Sequence, residues 1–434
     1  MLSSLSSMIP AKKNKLFYNF FSLGAIQAIS SLIQLIVIPH VISKIGVDGY
    51  GVIAVAQVVM FYLAVFTDYG FNQTATRDIA IYKADHTKIS EVFSNVLFSK
   101  LFLCIVAFIL LLILILSIPL LRVHLVLYCM AFVFVIGQSL LINWFFLGLE
   151  RMHFITIATL IGRVLFAILV FVFIRSKDDD FLFLFFLGTG NVIAGLISIV
   201  MAFRIYKLKF IKPSRADITR ELKEGWQITL SHLSNSTCHY ANIFILRLFV
   251  NDFAVGYYSI AERIFFTIKQ VFVVFSQAVY PKVCQLVVEG KDQAISFLKQ
   301  TYTGFLFLVV VGCIVLFIFS PQVLYFFMGN EYNNAVFFLR FFSIIAVIVC
   351  LNIPGTLILL AMNQKKSYLK VYAFATVLNI LLNIVLARFL EATGTIITIF
   401  ITEFFITIGL TSIVYRSNSV KGRLVSDPPD NVGY

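Results

Sequence analysis

Apolar residues run in blocks of about 20 along almost the whole chain, separated by short polar or basic segments. The blocks place candidate spans near 16–41, 50–69, 96–117, 124–147, 154–174, 181–203, 226–249, 255–279, 302–320, 336–361, 369–390 and 395–415. A helix needs about 20 apolar residues to cross the hydrocarbon of a bilayer, so the pattern predicts an all-α integral membrane protein of about twelve transmembrane helices. Composition agrees. Of 434 residues, 60% are hydrophobic and 13% charged, against roughly 45–50% and 25% in soluble domains. The first block, after Lys12, Lys13 and Lys15, is too long for a signal-peptide core and lacks a small-residue cleavage pattern, so it is expected to stay as a span.

The net charge of +13 would suggest nucleic acid in a soluble protein. Here its placement matters more. With the N-terminus inside, 24 basic residues fall in inward segments, among them Lys100 and the cluster Arg204, Lys207, Lys209, Lys212, Arg215, Arg220 and Lys223. Only Lys44, Arg122, Arg175, Lys177 and Arg388 fall outside. Cytoplasmic segments carry an excess of Lys and Arg, so both termini are expected in the cytoplasm, and the charge is a topology signal that calls for no nucleic acid.

A shift of 205 positions brings two parts of the chain into register. Gly51-Val52-Ile53-Ala54-Val55-Ala56-Gln57 opens span two, and Gly256-Tyr257-Tyr258-Ser259-Ile260-Ala261-Glu262 opens span eight. The same shift pairs Gln27, Ser30, Ser31 and Gln34 with His232, Asn235, Ser236 and His239, and the i, i+3, i+4, i+7 spacing puts each set on one helix face. Each half holds an even number of spans, which predicts a parallel repeat of two six-helix bundles around a central cavity. The expected division is a cytoplasmic tail at 1–15, a first lobe at 16–203, a cytoplasmic linker at 204–225, a second lobe at 226–415 and a cytoplasmic tail at 416–434.

Ionisable residues inside a bilayer are costly and tend to line a cavity or pair with one another. Arg163, Arg247, Arg263, Lys269 and Arg340 fall within the proposed spans, with Asp68, Glu262 and Glu403. Glu262 and Lys269 share a face of span eight, beside Arg263. With Arg163, Arg247 and Arg340, and with His232 and His239 of the span-seven stripe, these bases would form a cationic wall that attracts a polyanion such as a diphosphate. Snorkelling is the competing explanation for Arg247 and Arg340, which lie near span ends, snorkelling or internal pairing for the span-eight set, and interhelical hydrogen bonding for the polar residues of span seven. Glu403 has no base within one helical turn, and with Glu262 and Asp68 it is a candidate for coupling to a proton or cation. Asp68 also fits as a marker of the inner end of span two.

Other signals carry less. The six cysteines are scattered without C-x-x-C spacing and read as packing residues. Asp178-Asp179-Asp180 reads as a solvated turn, and Gly188-Thr189-Gly190 as a site of close helix packing. No nucleotide, zinc or nucleophile–base motif is present, so no cofactor and no enzymatic activity are expected.

Several strings resemble a known family. Pro39 with Ile45-Gly46 and Asp48-Gly49-Tyr50-Gly51, Asp68-Tyr69-Gly70-Phe71 with Ala75-Thr76-Arg77, Gly148-Leu149-Glu150-Arg151-Met152, and Val255-Gly256-Tyr257-Tyr258-Ser259-Ile260-Ala261-Glu262-Arg263-Ile264 are similar to the polysaccharide (O-antigen) flippases of the multidrug/oligosaccharidyl-lipid/polysaccharide exporter superfamily. The resemblance implies a two-lobed bacterial inner-membrane protein that flips undecaprenyl-diphosphate-linked oligosaccharide to the periplasmic leaflet by alternating access. It also implies coupling to H+ or Na+, membrane lipids around the protein and other polysaccharide-assembly membrane proteins beside it. Two alternatives stand next to this reading. A cation or drug antiporter of the same superfamily would need an acidic, aromatic cavity instead of a basic one. A membrane polysaccharide polymerase or ligase would need a large catalytic outer loop, and the longest here is near 321–335.

Overall fold

A computed structural model describes residues 12–362 and 364–419, and no strand occurs among them. In hydrocarbon each backbone N–H and C=O must be satisfied within its own segment, and the helix does this. In chain order the helices are α1 (Lys12–Asp68), α2 (Phe71–Ile81), α3 (His86–Ser117), α4 (Pro119–Arg122), α5 (Leu125–Leu140), α6 (Asn143–Gly148) and α7 (His153–Phe173). There follow α8 (Asp180–Tyr206), α9 (Arg215–Arg247), α10 (Asp252–Glu289), α11 (Lys291–Ile318), α12 (Ser320–Met328), α13 (Asn333–Ala361) and α14 (Lys365–Ser419). Side chains of 12–31, and with them Gln27, Ser30 and Ser31, lie outside the described residues, as do most of the two expected tails.

Eight stretches of the described residues are long and apolar enough to cross a membrane. Two of them, Leu32–Ile81 and Lys366–Tyr415, are 50 residues long and hold internal breaks. Gly46 breaks α1 at φ 90, a left-handed conformation that a side chain would resist, and Glu391 breaks α14. The expected spans at 226–249 and 255–279 fall on α9 and α10, some of whose side chains lie outside the described residues.

Side-chain caps set several helix starts. Asp85 accepts hydrogen bonds from the backbone N–H of Thr87 and Lys88, Ser214 and Asp217 form a capping box at α9, and Asn251 accepts from Ala254 N–H at α10. The expected span at 124–147 is interrupted. Leu141 and Ile142 leave helical geometry between α5 and α6, and the turn swings Trp144, Phe145 and Phe146 into an aromatic cluster with Phe71, Phe93 and Phe203.

In the first half α8 packs along α5 and α7, with α1 against all three. Gly188 lies on the backbone of Val133 and Phe134, and Gly190 on that of Gly162, the close approach expected of that glycine pair. In the second half α13 packs against α10, α11 and α14, and α9 against α14. The halves meet mainly along α1 and α10. There the offset-related glycines face each other: a methyl group on Gly51 would strike the carbonyl oxygen of Asp252, and one on Gly256 that of Val47. Lipid-facing rows remain exposed, such as Phe102, Ile105, Ile109 and Ile113 on α3.

The linker lies along α3, with Lys209 N–H and Ile211 N–H donating to the hydroxyls of Ser90 and Ser94. At the same end lies Lys100, one of the basic residues expected in an inward segment. Its side chain is buried, with Nζ 2.9 Å from Asp68 Oδ1, and joins α3 to the end of α1. Two polar helices missing from the span pattern, α2 and the first turns of α9, meet here through Arg77 Nη2 and Glu224 Oε2, 2.9 Å apart.

Glu221 is buried in this contact. Burial, reinforced by the charges of Asp78 and Glu224 against those of Arg220 and Arg77, pushes its carboxyl up to about 7. The folded value lies above the ordinary 4.5, so the unfolded chain releases this proton first, and stability falls as pH rises from about 4.5 to about 7. Glu221→Gln is therefore expected to raise the melting temperature in detergent at pH 8 and leave it unchanged at pH 4.5. Equal effects at both pH values would contradict this account.

Candidate functional site

Among the described residues, three cavities follow one another along one helix, α10. The first, of about 270 Å3, lies between the halves and is lined by Gln34 and Gln57 of α1, Arg163 of α7, Tyr240 of α9 and Ser259, Glu262, Arg263 and Gln270 of α10. Arg263 Nη2 donates to Gln57 Oε1 across the interface. Tyr258 OH donates to Glu262 Oε1 at 2.9 Å, both buried.

Several groups on this wall have no protein partner. Arg163 Nε and Nη1, Gln57 Nε2, Ser259 Oγ and Gln270 Oε1 are buried without a hydrogen bond. Buried polar atoms left unpaired are costly, and most of these are donors. Two guanidiniums with donors to spare suit a ligand rich in negatively charged acceptor oxygens, because the planar Arg fork pairs with phosphate or carboxylate through two parallel bonds.

The second cavity is small, about 20 Å3, and shares Glu262 and Phe266 with the first. It has room for about one water. Lys269 Nζ stands 3.9 Å from Glu403 Oε1 and over the rings of Phe265 and Phe266, 5.4 and 5.5 Å from their centroids. Asn352 Nδ2 donates to Glu403 Oε2 at 2.9 Å, and Thr407 Oγ1 donates to Asn352 Oδ1. Glu403, which the sequence leaves without a base, thus has one from a helix 134 residues away along the chain. Beside it, Asn383 Nδ2 donates to Asn242 Oδ1 and Thr395 Oγ1 to Asn383 Oδ1, each at 2.9 Å. The third cavity, of about 490 Å3, lies within the second half and shares Lys269 and Glu403 with the second.

The structure therefore brings Arg163, Glu262 and Arg263 together, with Lys269 and Glu403 one cavity further on. Two other candidates lie elsewhere. Arg247 binds Asp252 at the turn between α9 and α10, with Nη2 to Oδ2 at 2.8 Å, because this pair closes the turn where a span end was expected. Asp68 is held by Lys100 and by Asn72 Nδ2 at 2.9 Å. Arg340 donates to Ser320 Oγ and rests over Phe317. The side chains of His232 and His239 lie outside the described residues. Sequence reasoning missed Gln57, Gln270 and Ser259 as cavity groups. Their signal was neutral polar residues at the positions where the repeat aligns and along the face of Arg263.

Comparison with known proteins supplies a family. The family described as "Polysaccharide biosynthesis protein" matches residues 16–287. Two curated relatives share the name "Putative O-antigen transporter". One, from Escherichia coli (strain K12), is 25% identical over 403 residues, covering 93% of this chain and 97% of the relative. The other, from Shigella dysenteriae, is 25% identical over 400 residues, covering 90% and 98%. Among solved structures, an inward-facing multidrug resistance MATE family transporter of the MOP superfamily superposes with a TM-score of 0.72 at 17% identity, covering 90% of this chain and 95% of that one. An outward-facing form gives 0.58 at 15% identity, covering 94% and 96%. A MOP superfamily transporter of Pyrococcus furiosus, whose report bears on reverse polarity of its binding pocket, gives 0.60 at 16% identity, covering 94% and 96%. These structures share the fold.

Proposed function

Because the chain belongs to the polysaccharide biosynthesis protein family, we propose that it is the transporter that carries an undecaprenyl-diphosphate-linked oligosaccharide, an O-antigen or related repeat unit, from the cytoplasmic to the periplasmic leaflet of a bacterial inner membrane. The names of the two curated relatives support a polysaccharide cargo. The observation that carries the reading is the pair Arg163 and Arg263 in the cavity between the halves, with the Arg163 donors unpaired. A diphosphate supplies the acceptors these donors lack.

On this reading the chain crosses the bilayer twelve times, with α1 and α14 each contributing two spans and both termini in the cytoplasm. The lobes are 16–203 and 226–415, joined by the cytoplasmic linker 204–225. They rock about the α1–α10 contact so that the central cavity faces one leaflet and then the other. The shared surface at Gly51 and Gly256 is the outer gate, closed here. Glu262 and Glu403 are the carboxylates that take up the coupling H+ or Na+, and Glu403 is released by Lys269 when the lobe moves.

A lipophilic cation is disfavoured as cargo, because it would meet Arg163 and Arg263 first. The test is deletion of the gene in its own strain. Lipid-linked repeat units should then accumulate on the cytoplasmic leaflet, and wild-type protein should clear them. Normal surface polysaccharide without accumulation would overturn the assignment.

A further inference from the structure

One face of α10 presents Arg263, Gln270 and Gln277 at intervals of seven residues, which is close to two helical turns. At 1.5 Å per residue the 14 positions from Arg263 to Gln277 extend about 21 Å. The first two line the central cavity and the third lines the cavity inside the second half. The Oε1 atoms of Gln270 and Gln277 are both buried without a partner. This face thus serves two separate cavities, the central one and a chamber of about 490 Å3, which meet only through the small cavity at Glu262, Lys269 and Glu403, and that cavity must widen to admit a sugar. The chamber lies within the range of about 300–1,000 Å3 of small-molecule sites.

Most of the chamber's wall is apolar, from residues such as Val273, Val349, Ile353 and Leu357, and two further kinds of group are set in it. Tyr280, Tyr368 and Tyr372 supply rings, those of Tyr368 and Tyr372 being 4.6 Å apart at 40°. Gln277, Asn352 and Thr356 supply polar groups. A carbohydrate matches both, since its C–H faces lie on aromatic rings and its hydroxyls donate to carbonyl acceptors. An acyl or isoprenoid chain would leave Gln277 Oε1 unsatisfied. A lipophilic cation would find the Glu403 charge already countered by Lys269.

We propose that the chamber walled by Tyr368, Tyr372 and Gln277 is a saccharide subsite, which holds the sugars of the cargo while its diphosphate sits at Arg163 and Arg263, and so selects the repeat unit. The proposal rests on the cargo assigned above. Its discriminating groups lie in the second half, on α10 and α14, away from the charges that hold the diphosphate.

The test uses the full-length protein in detergent and two probes, farnesyl diphosphate without sugar and lipid-linked repeat units extracted from the strain that carries the gene. Tyr368→Ala and Gln277→Leu should each weaken binding of the sugar-bearing lipid about tenfold, the loss of one ring or one hydrogen bond. Neither should change binding of farnesyl diphosphate, and Tyr368→Phe should keep near-wild-type affinity for both. An unchanged ratio of the two affinities in both variants would overturn the subsite. So would tetraphenylphosphonium binding that is lost in Tyr368→Ala while the sugar preference persists. Arg263→Ala separates the two proposals. It should weaken both probes alike, and failure to weaken farnesyl diphosphate would remove the diphosphate assignment without altering the sugar-dependent ratio.

Discussion

Replacing Arg163 and Arg263 together by alanine is expected to abolish delivery of surface polysaccharide while the protein still accumulates in the membrane. A hydrogen bond to a charged group contributes about 1.5–3 kcal/mol, so losing two such contacts weakens binding by about a hundredfold or more. Arg163 Nε and Nη1 have no protein partner, and Arg263 donates across the interface to Gln57. Lysine at both positions should give intermediate activity, because the ammonium keeps the charge and loses the planar fork. Surface polysaccharide at wild-type levels in the double alanine variant, measured beside its membrane abundance, would remove the cationic cavity as the binding site.

Leucine at Gly256 is expected to stop transport in a different way. A side chain there meets the carbonyl oxygen and the side chain of Val47, and one at Gly51 meets the Asp252 carbonyl and the Gly256 backbone nitrogen. Backbone cannot step aside as a flexible side chain can, so α1 and α10 must part at the end of the molecule away from the linker. Gly256→Leu and Gly51→Leu should each cut transport by more than about tenfold, since closure of the outer gate is lost. A cysteine at Val47, buried in the parent, should become reactive toward a membrane-impermeant thiol reagent in the Gly256→Leu background. Full transport in both leucine variants would show that these surfaces do not have to close.

The helical bundle and its kinship were legible in the sequence, because apolar runs of bilayer length and strings such as Gly256 to Ile264 are local signals. The sequence pairs Gly51 with Gly256 at one offset, and packing adds what spacing does not give, that the two glycines lie against each other across the interface. Elements defined by packing were hidden. The break at Leu141 and Ile142 contains neither Gly nor Pro, and α2 has too few apolar residues to register as a span.

Charges sorted less well than spans. Spacing along one helix reveals a shared face, as for Glu262 and Lys269, whereas the ion-pair partners of Lys100 and Lys269 come from other helices. Lys100 meets Asp68 at 32 residues' separation, and Lys269 meets Glu403 at 134. Arg247 was misplaced for the opposite reason, as its partner Asp252 lies just beyond the span end in the next turn. Gln57, Gln270 and Ser259 carry no charge that would mark them as cavity groups. Burial makes an unpaired Gln carbonyl as informative as an ion, and only the packed structure reveals that burial.

The central claim is that the chain moves a diphosphate-linked saccharide across a bilayer through the cavity at Arg163 and Arg263. Purified protein reconstituted into vesicles, loaded with extracted lipid-linked repeat units and probed with a sugar-oxidising reagent confined to one side, measures that movement directly. The account predicts rapid exposure of the saccharide with wild-type protein and exposure no faster than in protein-free vesicles with the Arg163→Ala, Arg263→Ala double variant. Equal exposure rates for wild type and protein-free vesicles under imposed H+ and Na+ gradients, or for wild type and the double variant, would contradict it.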